Sequence, residues 1–131
     1  MKRRGTPEAD LQRAVVQALR IALPRTAIIH HCANEVTEAG PRGAKRQAIL
    51  VGMGVHAGFA DLMVIFDGRI LFLELKAPKG RLLPEQEAFR DAVQAQGFGW
   101  ALVRSLDDAL GALADRGFTT RIAPALRRPA P

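Results

Sequence analysis

Two apolar runs separated by a single Asp-Gly pair constrain this chain more than any other feature. Ala60 to Phe66 and Arg69 to Lys76 are rich in Leu, Ile, Val and Phe, and Asp67-Gly68 lies between them. That dipeptide favours a two-residue turn with positive φ, so the segment is expected to be a tight antiparallel hairpin. Phe66 then faces Arg69. Stepping outward pairs Leu62 with Leu73 and brings Asp61 opposite Glu74. Side chains alternate along a strand, so Leu71, Leu73 and Leu75 share one face, and Glu74 and Lys76 share the other with Asp61.

Directly opposed residues hold their side-chain bases roughly 4.5–5.5 Å apart. Two carboxylates at that spacing repel each other and want a cation. Hard oxygen donors suit Mg²⁺, Mn²⁺ or Ca²⁺. Lys76 would add a positive point charge beside them, or a proton handler if desolvated. The bland alternative is an exposed ion pair in which Lys76 only neutralises two surface acids. Against it stands the run Ile70-Leu71-Phe72-Leu73-Glu74-Leu75, where a charge sits deep in an apolar strand.

The remaining elements frame the hairpin. Thr6 caps a first helix with Pro7 at its first position, Glu8 and Asp10 in its first turn, and Leu11, Val15, Ala18 and Ala22 along one face; Pro24 ends it. Ala27 to His31 reads as a short strand and Glu35 to Lys45 as a loop; the basic cluster Arg42, Lys45 and Arg46, set among Gly40, Pro41 and Gly43, reads either as a mobile DNA-contacting loop or as a solvated turn. Gly52, Met53 and Gly54 read as a flexible approach to Asp61. Pro84 opens a helix through about Gln96, with Phe89, Ala92 and Val93 inward. Gly99 to Arg104 is a strand, and Ser105 starts a last helix carrying Leu106, Leu110 and Leu113. The residues after Phe118 could add a short strand. The order helix, strand, strand, strand, helix, strand, helix describes an α/β protein, a mixed sheet with helices on its faces.

With 131 residues the chain is expected to form one domain, residues 1–123, with a disordered basic tail at 124–131. The single cysteine, Cys32, excludes an intrachain disulfide and a cysteine-built zinc site. No apolar stretch reaches the ~20 residues a membrane span requires, and the basic start lacks the apolar core of a secretory signal, so a soluble, cytoplasmic protein is expected. The net charge is +6, and Lys2, Arg3, Arg4, Arg121, Arg127 and Arg128 account for it. Basic ends suit a phosphate-backbone partner; the bland alternative is that they only keep the chain soluble.

At the acidic pair the chain resembles a known family. Gly58-Phe59-Ala60-Asp61 followed by Glu74-Leu75-Lys76 resembles the PD-(D/E)XK nuclease motif. The continuation Gly80-Arg81-Leu82-Leu83-Pro84-Glu85-Gln86 resembles its VRR-NUC (virus-type replication-repair nuclease) branch, whose small stand-alone phage and bacterial members are similar to Holliday-junction resolvases. The resemblance implies a restriction-endonuclease-like mixed β-sheet flanked by α-helices. It also implies a Mg²⁺-dependent endonuclease, with Mn²⁺ as substitute, cutting branched DNA such as four-way junctions. Asp61 and Glu74 would be the metal-binding carboxylates, the Leu75 carbonyl a further ligand, and Lys76 the lysine that positions or activates water. Gln86 would reach the site from the following helix. Glu8 matches an acid on the first helix that is either another ligand or only a helix-start acid. Ala60 replaces the motif's proline, and Leu83 stands where a Ser or Thr cap would be natural before Pro84. Two cuts on one junction need two sites, which implies a homodimer. A flap or restriction-type nuclease with the same site, and a non-catalytic DNA-binding module, are the rival readings. His30 and His31 alternate on a strand and cannot easily share a metal, Asn34 and Glu35 could edge the site, and His56 reads as a loop residue. Cys32 reads as a small buried group, and Phe98 and Trp100 as core.

Overall fold

The computed structural model describes residues 6–33 and 40–121. Its elements run α1 (Pro7–Ala22), β1 (Ile28–His31), α2 (Gly40–Gly52), β2 (Leu62–Phe66), β3 (Arg69–Leu75), α3 (Pro84–Ala95), β4 (Gly99–Val103) and α4 (Leu106–Asp115). The helices and strands expected between Thr6 and Phe118 are all present, with one addition. The Arg42–Arg46 cluster lies on a helix and not in a loop. Pro41 is compatible with the first turn of a helix, and Ala44, Lys45, Arg46, Gln47 and Ala48 are adequate helix formers, so the flanking glycines punctuate the segment without breaking it. The part of the expected loop before Gly40, and the tail at 124–131, lie outside the described residues.

The four strands lie in the order β1-β2-β3-β4. β1 and β2 are antiparallel, β2 and β3 are antiparallel, and β3 and β4 are parallel. The β2–β3 register is the expected one, from Phe66 opposite Arg69 to Leu62 opposite Leu73. Asp67 and Gly68 both have positive φ, 52° and 73°, as a primed hairpin turn demands.

Strand alternation divides the sheet into two faces. Leu62, Val64, Leu71, Leu73, Leu75 and Val103 form the main core with Val15 and Leu19 of α1 and Leu113 of α4. α4 turns Ala109, Ala112 and Leu113 inward, whereas the expected Leu106 is exposed; its small residues let α1 approach. Phe72, on the opposite face, packs with Ala60 and with Phe89 and Val93 of α3 in a second cluster, and Ala92 faces outward. Trp100 joins this cluster at its edge, with the Arg90 guanidinium 5.8 Å from the ring centre, while Phe98 is partly exposed. No strand follows Phe118 as far as Arg121. Instead Phe118 enters the core, and Arg121, counted above among the basic ends, is tied to the end of α1 through the Ala22 and Leu23 carbonyls.

Caps set where the helices begin. Thr6 Oγ1 accepts the Ala9 N–H (3.1 Å), and Ser105 Oγ accepts that of Asp108 (3.1 Å). The N-cap of α3 is Leu83, which offers no side-chain acceptor. No described helix is long and apolar enough to cross a membrane.

Leu73 is fully buried between α1, α4 and the neighbouring strands. Leu73→Ala is expected to lower unfolding stability by about 2–5 kcal/mol, read as a lower urea midpoint with an unchanged slope. A change below ~1 kcal/mol would contradict the packing described.

Candidate functional site

The parallel strands β3 and β4 end side by side, and the chain entering β2 arrives at the same end. Regular β2–β3 pairing stops at Leu62–Leu73, so Asp61 lies one residue beyond the ladder rather than inside it. What continues the connection is a side chain: Asp61 Oδ2 accepts the Leu75 N–H at 2.7 Å. On the other side, the Asp61 carbonyl accepts the Cys32 N–H at 2.9 Å. Asp61 therefore joins the end of β3 to the residue that follows β1. Its Oδ1 has no hydrogen-bond partner among the described residues and is the atom left for a cation. Because the N–H and C=O of a residue in a ladder leave on the same edge, the Leu75 carbonyl is turned toward Asp61 as well.

Asp61, Glu74 and Lys76 are 8%, 1% and 8% exposed, so a solvated surface ion pair does not describe them. The Lys76 ammonium makes no ion pair or hydrogen bond among the described residues, and it forms part of a cleft wall. The Lys76 backbone is held from both directions. Its N–H donates to the Val103 carbonyl (3.0 Å), and Arg104 Nη1 grips the next turn through the Ala77 (2.7 Å) and Pro78 (3.2 Å) carbonyls. Arg104 was not foreseen. Its role follows from the parallel pairing of Leu75 with Val103, which brings Arg104 alongside Lys76.

One cleft of about 620 Å³ collects Asp61, Glu74, Lys76, Gln86 and Glu8. Gln86 Oε1 accepts the Leu83 N–H at 2.9 Å, the half of a capping box that the third helical residue supplies; the other half, an acceptor on the side chain at 83, is missing because Leu83 has none. This bond also settles the orientation of the amide: an N–H donor requires the oxygen, so Nε2 is the group left to donate. Glu8 is exposed in the first turn of α1, where an acid also favours the helix dipole.

Sequence reasoning gave no role in the site to Gln47 of α2 or Glu85 of α3, which line the cleft, nor to Gly58 in that position. Gly58 has φ +76°, and an added Cβ would overlap the Glu85 backbone carbonyl. The absence of a side chain is what lets the start of α3, with Gln86, come down onto the site. His56 also borders the cleft. Its Nδ1 donates to the Ala57 carbonyl (2.9 Å), and its ring meets Phe89 edge-on at 5.6 Å. His30 and His31 are exposed on the edge strand, and Asn34 and Glu35 lie outside the described residues. Cys32 is buried as expected, and it lines the cleft too. Burial, and then the Asp61 charge, push its thiol pKa up, so it stays protonated and is a poor nucleophile.

Among the described residues no three His, Cys, Asp or Glu side chains form a metal cage. The donor set is two carboxylates with a neighbouring carbonyl. That fits Mg²⁺, which takes one or two carboxylates and keeps several waters, better than a fully enclosed ion.

No protein-family model matches the sequence, and no curated protein matches it. The fold, in contrast, has a counterpart. A solved chain named "VRR_NUC domain protein" matches with a TM-score of 0.60 and 19% identity, over 92% of this chain and 100% of that one. At that identity the likeness is one of architecture: a restriction-endonuclease-like mixed sheet flanked by helices, as expected above.

Two outcomes follow. In metal-free buffer, alkylation of Cys32 should show a midpoint above that of a free thiol. Asp61→Asn should lower it only in part, because burial is the larger cause; a wild-type midpoint at or below the ordinary value would refute this environment. Gly58→Ala should displace the start of α3 and destabilise the fold by about 1–3 kcal/mol, seen in thermal melts. An unchanged melting temperature would show that the contact between Gly58 and α3 is not tight.

Proposed function

We propose that this chain is a Mg²⁺-dependent DNA endonuclease of the VRR-NUC type, with Mn²⁺ as substitute, acting on branched DNA such as four-way junctions. The observation that carries the reading is the convergence of Asp61, Glu74, Lys76 and Gln86 on one cleft at the carboxyl ends of β3 and β4, the usual position of sites in open α/β sheets.

Asp61 through Oδ1, Glu74, and the Leu75 carbonyl would hold the ion. When bound, a divalent ion supplies charge to polarise the scissile phosphate and lowers the pKa of water. The chain's own groups do the rest. Lys76, with a buried stem and its backbone clamped on both sides, keeps one positive charge where negative charge develops during phosphodiester cleavage. Gln86, with its oxygen occupied by the Leu83 N–H, presents an Nε2–H donor to a phosphate oxygen or the attacking water. Glu8 at the cleft wall is either a third carboxylate ligand or an acid serving only α1.

The partner would be DNA, bound mainly through its backbone, since so small a domain has little surface for reading bases. Cutting a four-way junction symmetrically requires a homodimer, because one chain brings one such cleft. The setting would be the cytoplasm of a bacterium or a phage-infected cell. A flap or restriction-type nuclease would use the same residues. A purely DNA-binding module is less consistent with the cleft, because buried carboxylates oppose phosphate unless a cation intervenes.

The test is a cleavage panel of duplex, splayed, flap and four-way DNA in Mg²⁺, Mn²⁺ or EDTA. Cleavage of branched forms with metal is expected, with at least a thousandfold loss in Asp61→Asn and roughly a hundredfold loss in Lys76→Met. Silence on every DNA form, from protein with a normal melt, would refute the nuclease reading. A monomeric mass with and without junction DNA would remove the dimer.

A further inference from the structure

α2 makes no substantial packing contact with another element, although its Gln47 lines the cleft. Its side chains are ordered by type. At 3.6 residues per turn, Arg42, Lys45, Arg46, Ile49 and Met53 fall within roughly 100° of arc. All five are exposed, Ile49 by 53% and Met53, just past the last turn, by 79%. Gly43 and Gln47 point elsewhere, about a third of a turn away, toward the body and the cleft. One stripe thus carries three cations followed by two large apolar side chains, on the flank of the candidate active site.

Helix stability does not account for this order. The cations occupy the first half of α2, where the helix dipole opposes positive charge, and the helix itself contains no acid. Arg42 and Lys45 make no ion pair or hydrogen bond among the described residues. Two exposed apolar groups, one turn apart, gain nothing from water. A polyanion that also offers apolar surface satisfies both halves of the stripe. Nucleic acid has both, as phosphates and as base faces, and base faces are accessible without an unstacking cost where stacking is already interrupted. From Arg42 to Met53 the stripe is about 16 Å long, close to five base steps at 3.4 Å.

We infer that α2 is the element that recognises a DNA branch: Arg42, Lys45 and Arg46 grip the phosphates of one arm, and Ile49 and Met53 stack against the bases exposed at the branch point. This rests on the proposed nuclease reading and names what selects its substrate. Apolar side chains inserted at base steps are a general way to recognise or create a kink, and a pre-existing break makes insertion cheaper. The stripe therefore favours branched over continuous DNA, and the adjoining Gln47 leads from the branch into the cleft.

The test measures binding in EDTA, so that cleavage plays no part, with a four-way junction carrying 2-aminopurine at the branch and a duplex of equal length. Arg42→Gln/Lys45→Gln should weaken binding to both about tenfold and reduce the slope of log affinity against log salt by about 1.8. Ile49→Gln/Met53→Gln should leave duplex affinity within about twofold, lower the junction-to-duplex preference at least fivefold, and abolish the 2-aminopurine increase seen with the wild type. All four side chains are exposed, so the melts should match. An unchanged preference and 2-aminopurine signal in the apolar variant would overturn the inference. So would conversion of a dimer to a monomer with DNA selectivity intact, which would mark the stripe as a contact between two copies. If the wild type cleaves branched DNA in Mg²⁺ while these readouts stay flat, only the role of α2 falls; if it neither binds nor cleaves DNA, both readings fall.

Discussion

The hydrogen bond from the Leu75 N–H to Asp61 Oδ2 is the contact on which the arrangement of the cleft depends. It stands where the β2–β3 ladder runs out, and a carboxylate takes the place of a backbone carbonyl as acceptor. A hydrogen bond to an ionised group is shorter and stronger than one between neutral groups, and the 2.7 Å length fits that. The consequence is positional. Asp61 cannot swing into solvent without leaving a strand-end N–H unpaired in a buried place, which costs more than the bond itself contributes. The carboxylate is thereby held at the wall of the cleft that Glu74 also lines.

The burial of these groups has to be offset by the rest of the sheet. Burying an ion costs several kcal/mol even after relaxation, and three ionisable groups are buried here within one short stretch of surface. The fold concentrates its supporting contacts nearby: the Val103 and Asp61 backbone bonds, the Arg104 clamp on the turn after Lys76, and the Phe72, Phe89 and Phe59 cluster beneath. A site held this firmly has little reorganising to do when charge develops in it.

The parts of this structure readable from sequence are those set by local rules. An Asp-Gly turn fixes its register within a few residues, and from it the partners of Leu62 and Leu73, and nearly those of Asp61 and Glu74, follow by counting. Thr6 and Ser105 cap their helices because a hydroxyl there has an N–H within reach. What could not be read depended on tertiary contacts or on weak propensities. α2 was hidden because Gly40, Pro41 and Gly43 look like punctuation, whereas Pro is tolerated in a first turn and the following residues are modest helix formers. The second use of Gln86, as acceptor for the backbone N–H of the N-cap Leu83, required knowing where α3 begins. Arg104 and Gly58 act across contacts between segments distant in sequence, and no local pattern marks either.

The alternation of β3 links folding to the site more closely than proximity alone would. Leu71, Leu73 and Leu75 face α1 and α4, while Phe72, Glu74 and Lys76 face α3 and the cleft. A one-residue slip of the hairpin would exchange the two sets. It would drive Glu74 and Lys76 among leucines and leave the leucines facing the cleft, so both sets would be in the wrong medium together. The register that buries the most apolar surface is thus the same register that assembles the carboxylates and the lysine. Packing free energy, which is large, selects an arrangement that electrostatics alone would oppose. That is how a chain of 131 residues can keep three ionisable groups buried side by side without a separate device to gather them.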